Sequence, residues 1–383
     1  SVPVMASNRI SDPDTAESLI KTGCADMVNL GRVLIADPKW PQKAFEGKKD
    51  EIRPCAACSQ GCTDEVFQGR PVYCIGNPMA GFEGERKITR TDTPKRIMIV
   101  GAGPAGMEAA VRATMAGHKV EIYEKQNDIG GQLHLAGAPP HKQELLEFIR
   151  YYRAMISKYE IPLFLNTGVD IDMIQKKTPD HVIVAQGAEP LVPPIKGSDK
   201  KCVMTSWEVL KNNPPLGREV AVIGGGAVGL ETAAFVASRG TITPEILYFL
   251  FKYEAETPER LRELMFKGLC RVTVFEMLEK AGKDVGKSTR WVLFDNLRKH
   301  GVTIKTSARV LEIKDGGLAW EEDGETRQAE FDTVILSSGS KSLDTLSASL
   351  RQLSIPHTVV GDSNKPGRID GAIHGGFLAA MEL

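Results

Sequence analysis

The stretch Lys95-Arg-Ile-Met-Ile-Val100-Gly101-Ala-Gly103-Pro-Ala105-Gly106 decides the fold. Lys95 to Val100 reads as an apolar strand of a parallel sheet, buried on both faces. The glycines that follow serve a tight turn, close approach of a pyrophosphate to the backbone, and helix–strand packing. A helix from Met107 to Met115 then presents its positive end to phosphate. A second strand, Lys119 to Tyr123, ends in Glu124-Lys125, which places a carboxylate for ribose hydroxyls. The glycine motif alone is weak evidence; strand, glycines, helix, strand and terminal acid in this order are strong. Gly131-Gln132 and, after a later strand, Gln186-Gly187 are further candidate cofactor contacts.

The pattern repeats. Glu219 to Ile223 is again a buried strand, followed by Gly224-Gly-Gly226-Ala227-Val228-Gly229 and a helix from Leu230 through Ser238. Two mononucleotide-binding folds in series are expected, with the second holding the nicotinamide cofactor. Its second strand ends at Glu276, which accepts the 2′-hydroxyl of NADH and repels a 2′-phosphate. Met277-Leu278-Glu279 follow without an arginine, so NADH is expected over NADPH. Between these strands lies an insertion, 241–270. Thr243-Pro244-Glu245 and Thr257-Pro258-Glu259 each start a helix. This hairpin either covers its own domain or contacts a partner or a second subunit.

Cys55-Ala-Ala-Cys58-Ser-Gln-Gly-Cys62 precedes both glycine motifs, with Cys74 further on. Three thiolates in one tight loop and a fourth at a distance suit a 4Fe–4S cluster. Zinc competes, but more often uses two separated C-x2-C knuckles; plain buried thiols are the third reading. Upstream, residues 1–50 read as strand, helix, strand, with Asn8-Arg9 after the first strand and Gly31-Arg32 after the second. In a (β/α)8 barrel the loops after the last two strands commonly bind phosphate through backbone amides and a cation. Arg9, Gly31 and Arg32 suit that role, and solvated surface arginines are the alternative.

Val4-Met5-Ala6-Ser7-Asn8-Arg9-Ile10, Ala25-Asp26-Met27-Val28, Gly31-Arg32 and Ala36-Asp37-Pro38, followed by the cysteines, resemble the end of an old-yellow-enzyme barrel. More specifically they resemble the multidomain branch that includes 2,4-dienoyl-CoA reductase, 2-enoate reductase and trimethylamine dehydrogenase. The resemblance implies an FMN phosphate at Arg9, Gly31 and Arg32 and a 4Fe–4S cluster on Cys55, Cys58, Cys62 and Cys74. It implies FAD at Gly101, Gly103, Ala105, Gly106, Glu124, Lys125, Gly131, Gln132, Gln186, Gly187, Gly361 and Asp362, with NAD at Gly224, Gly226, Ala227, Val228, Gly229 and Glu276. His374 falls in the flavin-closing segment and is read as a packing residue. Only about two of eight strand–helix units are present, and two cannot close a barrel. Together with an opening Ser-Val-Pro that lacks an initiator Met, this leads us to expect a portion of a longer polypeptide, with FMN bound only where the barrel is completed.

The expected architecture is therefore α/β: a barrel end (1–50), an iron–sulfur segment and linker (51–94), then two nested Rossmann-like domains. The FAD domain is discontinuous (95–205 and 330–383) and encloses the NAD(P) domain (206–329). The expected function is an NADH-dependent flavin and iron–sulfur oxidoreductase passing electrons from NADH to FAD, cluster and FMN. The intact protein would reduce an enoate or enoyl-CoA C=C bond. An amine dehydrogenase of the same branch and a non-catalytic assembly piece are the rivals. The 383 residues are 42% hydrophobic and 25% charged with a net charge of −1, which gives no electrostatic reason to expect nucleic acid or an anionic membrane. No apolar run spans a membrane and no signal peptide is evident. A cytoplasmic protein acting on small molecules, with Cys24, Cys202 and Cys270 reduced, is expected.

Overall fold

The computed structural model describes residues 2–383; Ser1, the first residue of the expected barrel end, lies outside them. The chain forms two compact units. One comprises residues up to Gly137, Lys142–Glu189 and Lys341–Leu383, and the other Ala138–His141 and Pro190–Ser340.

The first unit is built on a five-stranded parallel sheet in the order His357–Val359, His181–Val184, Arg96–Val100, Lys119–Tyr123, Leu163–Phe164. The glycine-motif strand is central, so the crevice at its carboxyl end is a topological switch point. Its side chains alternate between two cores. Ile97 and Ile99 pack under the helix Pro104–Met115, while Met98 and Val100 meet Ile174 and Leu350 on the other face. Burial on both faces explains the unbroken apolar run. The last helix, Ile369–Met381, lies against Pro104–Met115 so closely that a Cβ at Gly376 would overlap the Ala105 carbonyl.

The second unit repeats the plan: Thr303–Lys305, Arg271–Phe275, Glu219–Ile223, Thr333–Leu336, Val203–Thr205, all parallel. One face carries the helix Ala227–Ala237, and the other carries an antiparallel sheet of Ala308–Lys314, Gly317–Glu322 and Glu325–Glu330. Val203–Thr205 differs from expectation. The sequence reading put it in the first dinucleotide fold, but it pairs with Thr333–Leu336 as the edge strand of the second.

The N-terminal segment has its own small core of Ile10, Ala16, Val33, Trp40 and Ile52. Its strands, expected over Val2 to Ser7 and Asp26 to Leu30, are only Met5–Ala6 and Met27–Val28. Each has one neighbour, the other, and Met5 and Met27 stand exposed. The helix between them, Pro13–Lys21, is capped by Asp12, which accepts from the Thr15 amide.

The insertion forms two helices, Pro244–Lys252 and Pro258–Phe266, capped by Thr243 and Thr257. Only the second covers its own unit, through buried Leu261; the first buries nothing and exposes Tyr248, Phe249 and Phe251. Among the described residues no helix is long and apolar enough to cross a membrane.

Candidate cofactor sites

At the first glycine loop Gly101 takes φ +107° and its amide donates to the Tyr123 carbonyl (2.8 Å). A Cβ at Gly106 would overlap the Gly101 carbonyl, so the helix enters only because both residues are glycine. Buried Glu124 holds the loop: one carboxylate oxygen accepts from Ala102 N (2.7 Å), the other from Gln126 N (2.8 Å). Both oxygens keep lone pairs for ribose hydroxyls. Gly130 N donates to Ala102 O (2.8 Å), and Gly131 packs on Gly103. Gln132 donates to Asp362 (2.8 Å), and Gly187 N to Ser363 Oγ (2.7 Å), so these expected contacts converge on one crevice. Gly361, at φ +59°, lies against Ala105. Gln186 turns aside to Thr345 (3.0 and 2.9 Å), and Lys125 is exposed.

The second loop repeats this arrangement bond for bond. Gly224 takes φ +111°, a Cβ at Gly229 would overlap the Gly224 carbonyl, and Glu276 accepts from Gly225 N (2.7 Å) and Leu278 N (2.8 Å). Gly282 N donates to Gly225 O (2.7 Å) as Gly130 does to Ala102. One difference stands out. The first helix opens on Pro104, which has no N–H; the second opens on Ala227, whose N–H donates to the Asp284 carboxylate (2.9 and 3.0 Å). Both crevices fit a dinucleotide: glycines clear the backbone where a pyrophosphate would lie, and a buried carboxylate stands at the ribose position.

Cys55, Cys58, Cys62 and Cys74 line a single cavity with Arg32, Ser59, Tyr73, Ile75 and Phe148. Ala57 (φ +51°) and Ser59 (φ +60°) take the left-handed backbone, costing about 1–2 kcal/mol each in a non-glycine residue. Burial pushes the Cys55 and Cys74 thiols up and Cys58 to about 12, while backbone amides of Ala57, Gln60, Gly76 and Asn77 donate to these sulfurs and pull the other way. Desolvated sulfurs supplied with amide donors are built to be thiolates once a cation compensates them. Among the described residues no three His, Cys, Asp or Glu side chains are grouped so as to hold a single metal ion.

Residues not singled out from the sequence tie this cavity into the first unit. Arg53 donates to the Gly76 carbonyl, to Glu108 (2.9 and 3.2 Å) and to Tyr151 Oη (2.9 Å). Glu108, on the helix Pro104–Met115, also accepts from Arg112 (2.8 Å) and Tyr152 (2.8 Å). Burial opposes its ionisation, but Arg112 and Arg53 prevail and hold it at about 2. His374 donates through Nε2 to the Cys74 carbonyl (2.8 Å) and accepts at Nδ1 from Arg86 (3.2 Å). Burial lowers its pKa, so the neutral imidazole fits this pairing. Tyr73 donates to Asp370 (3.0 Å), at the start of the same helix as His374.

Of the expected phosphate residues, Arg32 donates to Ser59 Oγ (3.1 Å) at the cysteine cavity, and Arg9, in left-handed backbone at φ +54°, is ion-paired with Glu144. Gly31 begins the short helix Arg32–Ala36.

Two parallel sheets with repeated dinucleotide crevices define an oxidoreductase of the two-nucleotide type. The chain belongs to the pyridine nucleotide-disulphide oxidoreductase family, whose pattern matches residues 95–358. Over its whole length it is 38% identical to a metal reductase of Desulforamulus reducens and 36% identical to a bilirubin reductase of Mediterraneibacter gnavus, covering 58% and 55% of those proteins. It also superposes, with a TM-score of 0.88 and 30% identity, on 54% of a 2-naphthoyl-CoA reductase solved with 2-naphthoyl-CoA, again over the whole of this chain. The chain thus spans little more than half the length of the relatives it matches.

Proposed function

We propose that this chain is the electron-input portion of an NADH-dependent flavin and iron–sulfur reductase. The bound groups would supply the redox chemistry: hydride from NADH to FAD, then single electrons through a 4Fe–4S cluster toward FMN in a barrel. The chain's own residues bind and orient. The first glycine loop with Glu124, Gln132 and Asp362 would hold FAD, and the second with Glu276 would hold NADH. Glu276 already accepts two amides, and its charge disfavours the 2′-phosphate of NADPH. Cys55, Cys58, Cys62 and Cys74 would ligate the cluster. An FMN phosphate at Arg9, Gly31 and Arg32 would have to draw Arg9 off Glu144.

The observation that carries this reading is Arg53. It bonds the Gly76 carbonyl, beside Cys74, and Glu108, on the helix that opens at the first glycine loop, so thiol cavity and nucleotide crevice are parts of one rigid core. Likeness to a 2-naphthoyl-CoA reductase supports reduction of a conjugated acyl substrate by the intact protein over amine oxidation.

The test is cofactor content under anaerobic conditions: flavin extracted and resolved into FAD and FMN, with iron and sulfide on the same sample. FAD with about four irons per chain, and NADH-driven dye reduction without C=C reduction, is the expected result. Zinc with no flavin would overturn it.

A further inference from the structure

The structure assigns Asp284 a role that the two nucleotide crevices do not share: its carboxylate occupies the pyrophosphate position of the second glycine loop, and NADH must displace it to bind. This rests on reading that loop as the NADH site.

The internal repeat supplies the comparison. In both loops a buried glutamate holds the second residue's amide, and a glycine on the loop after the second strand donates back to that residue's carbonyl: Gly130 to Ala102, Gly282 to Gly225. Two residues beyond each of these glycines the repeats diverge. In the first, Gln132 turns away to Asp362 (2.8 Å), and the helix begins with Pro104, so no first-turn amide is spent on a side chain there. In the second, Asp284 sits over Gly226 and takes the Ala227 amide with both oxygens. A helix N-terminus attracts one anion at a time. The Asp284 carboxylate and a pyrophosphate compete for the same N–H and the same positive end, and two anions there would repel each other. The loop bearing Asp284 is anchored on each side, by Gly282 on Gly225 and by Arg290, which donates to the Ala281 carbonyl (2.7 Å). Displacement therefore needs only the Asp284 side chain and its immediate backbone to move. The consequence is a weakened, exchangeable NADH site beside a first crevice that has no such competitor.

The test is binding, not turnover. Dissociation constants of NADH, ADP-ribose and adenosine are measured by calorimetry on the full chain for wild type, Asp284→Asn and Asp284→Ala, with thermal midpoints as a folding control. NADH and ADP-ribose should bind roughly three- to tenfold tighter to both variants, and adenosine, which has no pyrophosphate, should be unchanged. Unchanged or weaker ADP-ribose binding in both folded variants would overturn the assignment and make Asp284 a simple cap or a ligand. In that case a Glu276→Ala variant that loses NADH binding shows that the site reading itself stands. If wild type binds neither NADH nor ADP-ribose and Glu276→Ala changes nothing, both fall.

Discussion

Glu108→Gln removes the one negative charge between two buried guanidinium groups. Glu108 is fully buried, Arg53 is 4% exposed, and Arg112 is nearly as enclosed. The carboxyl is lowered from 4.5 to about 2, which is about 3 kcal/mol of preference for the ionised form. The amide keeps one acceptor but leaves both cations without their counter-charge, a class of change that costs about 3–5 kcal/mol. For a unit of this size that is roughly 6–20 °C in the midpoint of its transition. The assay is calorimetry of the flavin-loaded chain across pH. Because the folded carboxyl titrates below its unfolded value, its contribution is fully present above about pH 4.5 and is lost as pH falls toward about 2. The wild-type midpoint should therefore fall through that window more steeply than the variant's. Adding Arg53→Met to Glu108→Gln should recover part of the loss, since one stranded cation leaves. A Glu108→Gln midpoint within about 2 °C of wild type would refute the view that this network carries the core.

Gly229→Ala drives a methyl into the Gly224 carbonyl; at about 1–3 kcal/mol of overpacking the second loop should open and NADH binding vanish while flavin content, read by absorbance, is kept. Gly106→Ala should do the reverse, costing flavin first. Cys58→Ser, at the thiol that burial raises furthest, should lose most iron and sulfide by chemical assay; full retention would argue against ligation there. Phe249→Ser with Phe251→Ser, on a helix that buries nothing, should move the thermal midpoint by no more than about 2 °C; a larger drop would mean that this face is covered.

Both nucleotide folds were legible because glycine spacing, apolar strands and terminal acids are local signals. Glu124 and Glu276 were found the same way, but not that each spends both oxygens on its own loop, since the amides concerned lie 22 and 51 residues upstream. Val203–Thr205 was misplaced for a related reason: an edge strand of three residues carries no sign of which sheet it joins. Arg53 and Glu108 were invisible. An arginine beside a cysteine and a glutamate within a helix ordinarily face water, and only the packing of three separate chain segments buries them together. Asp284 reads as a loop acid until the repeat is superposed on itself. The barrel-end strands were legible in position but overestimated in length, because each pairs on one side only.

The helix Ile369–Met381, which brings Gly376 onto Ala105 and His374 onto Cys74, has a bearing on synthesis. Domains fold in order as a chain emerges at about 5–20 residues per second. The second unit is complete once Ser340 is out, whereas the first, although most of it is made earlier, lacks a wall until its last helix follows. The enclosed unit is thus positioned to mature first, with the enclosing one held open around its thiols. That interval is a natural time for metal and flavin to enter.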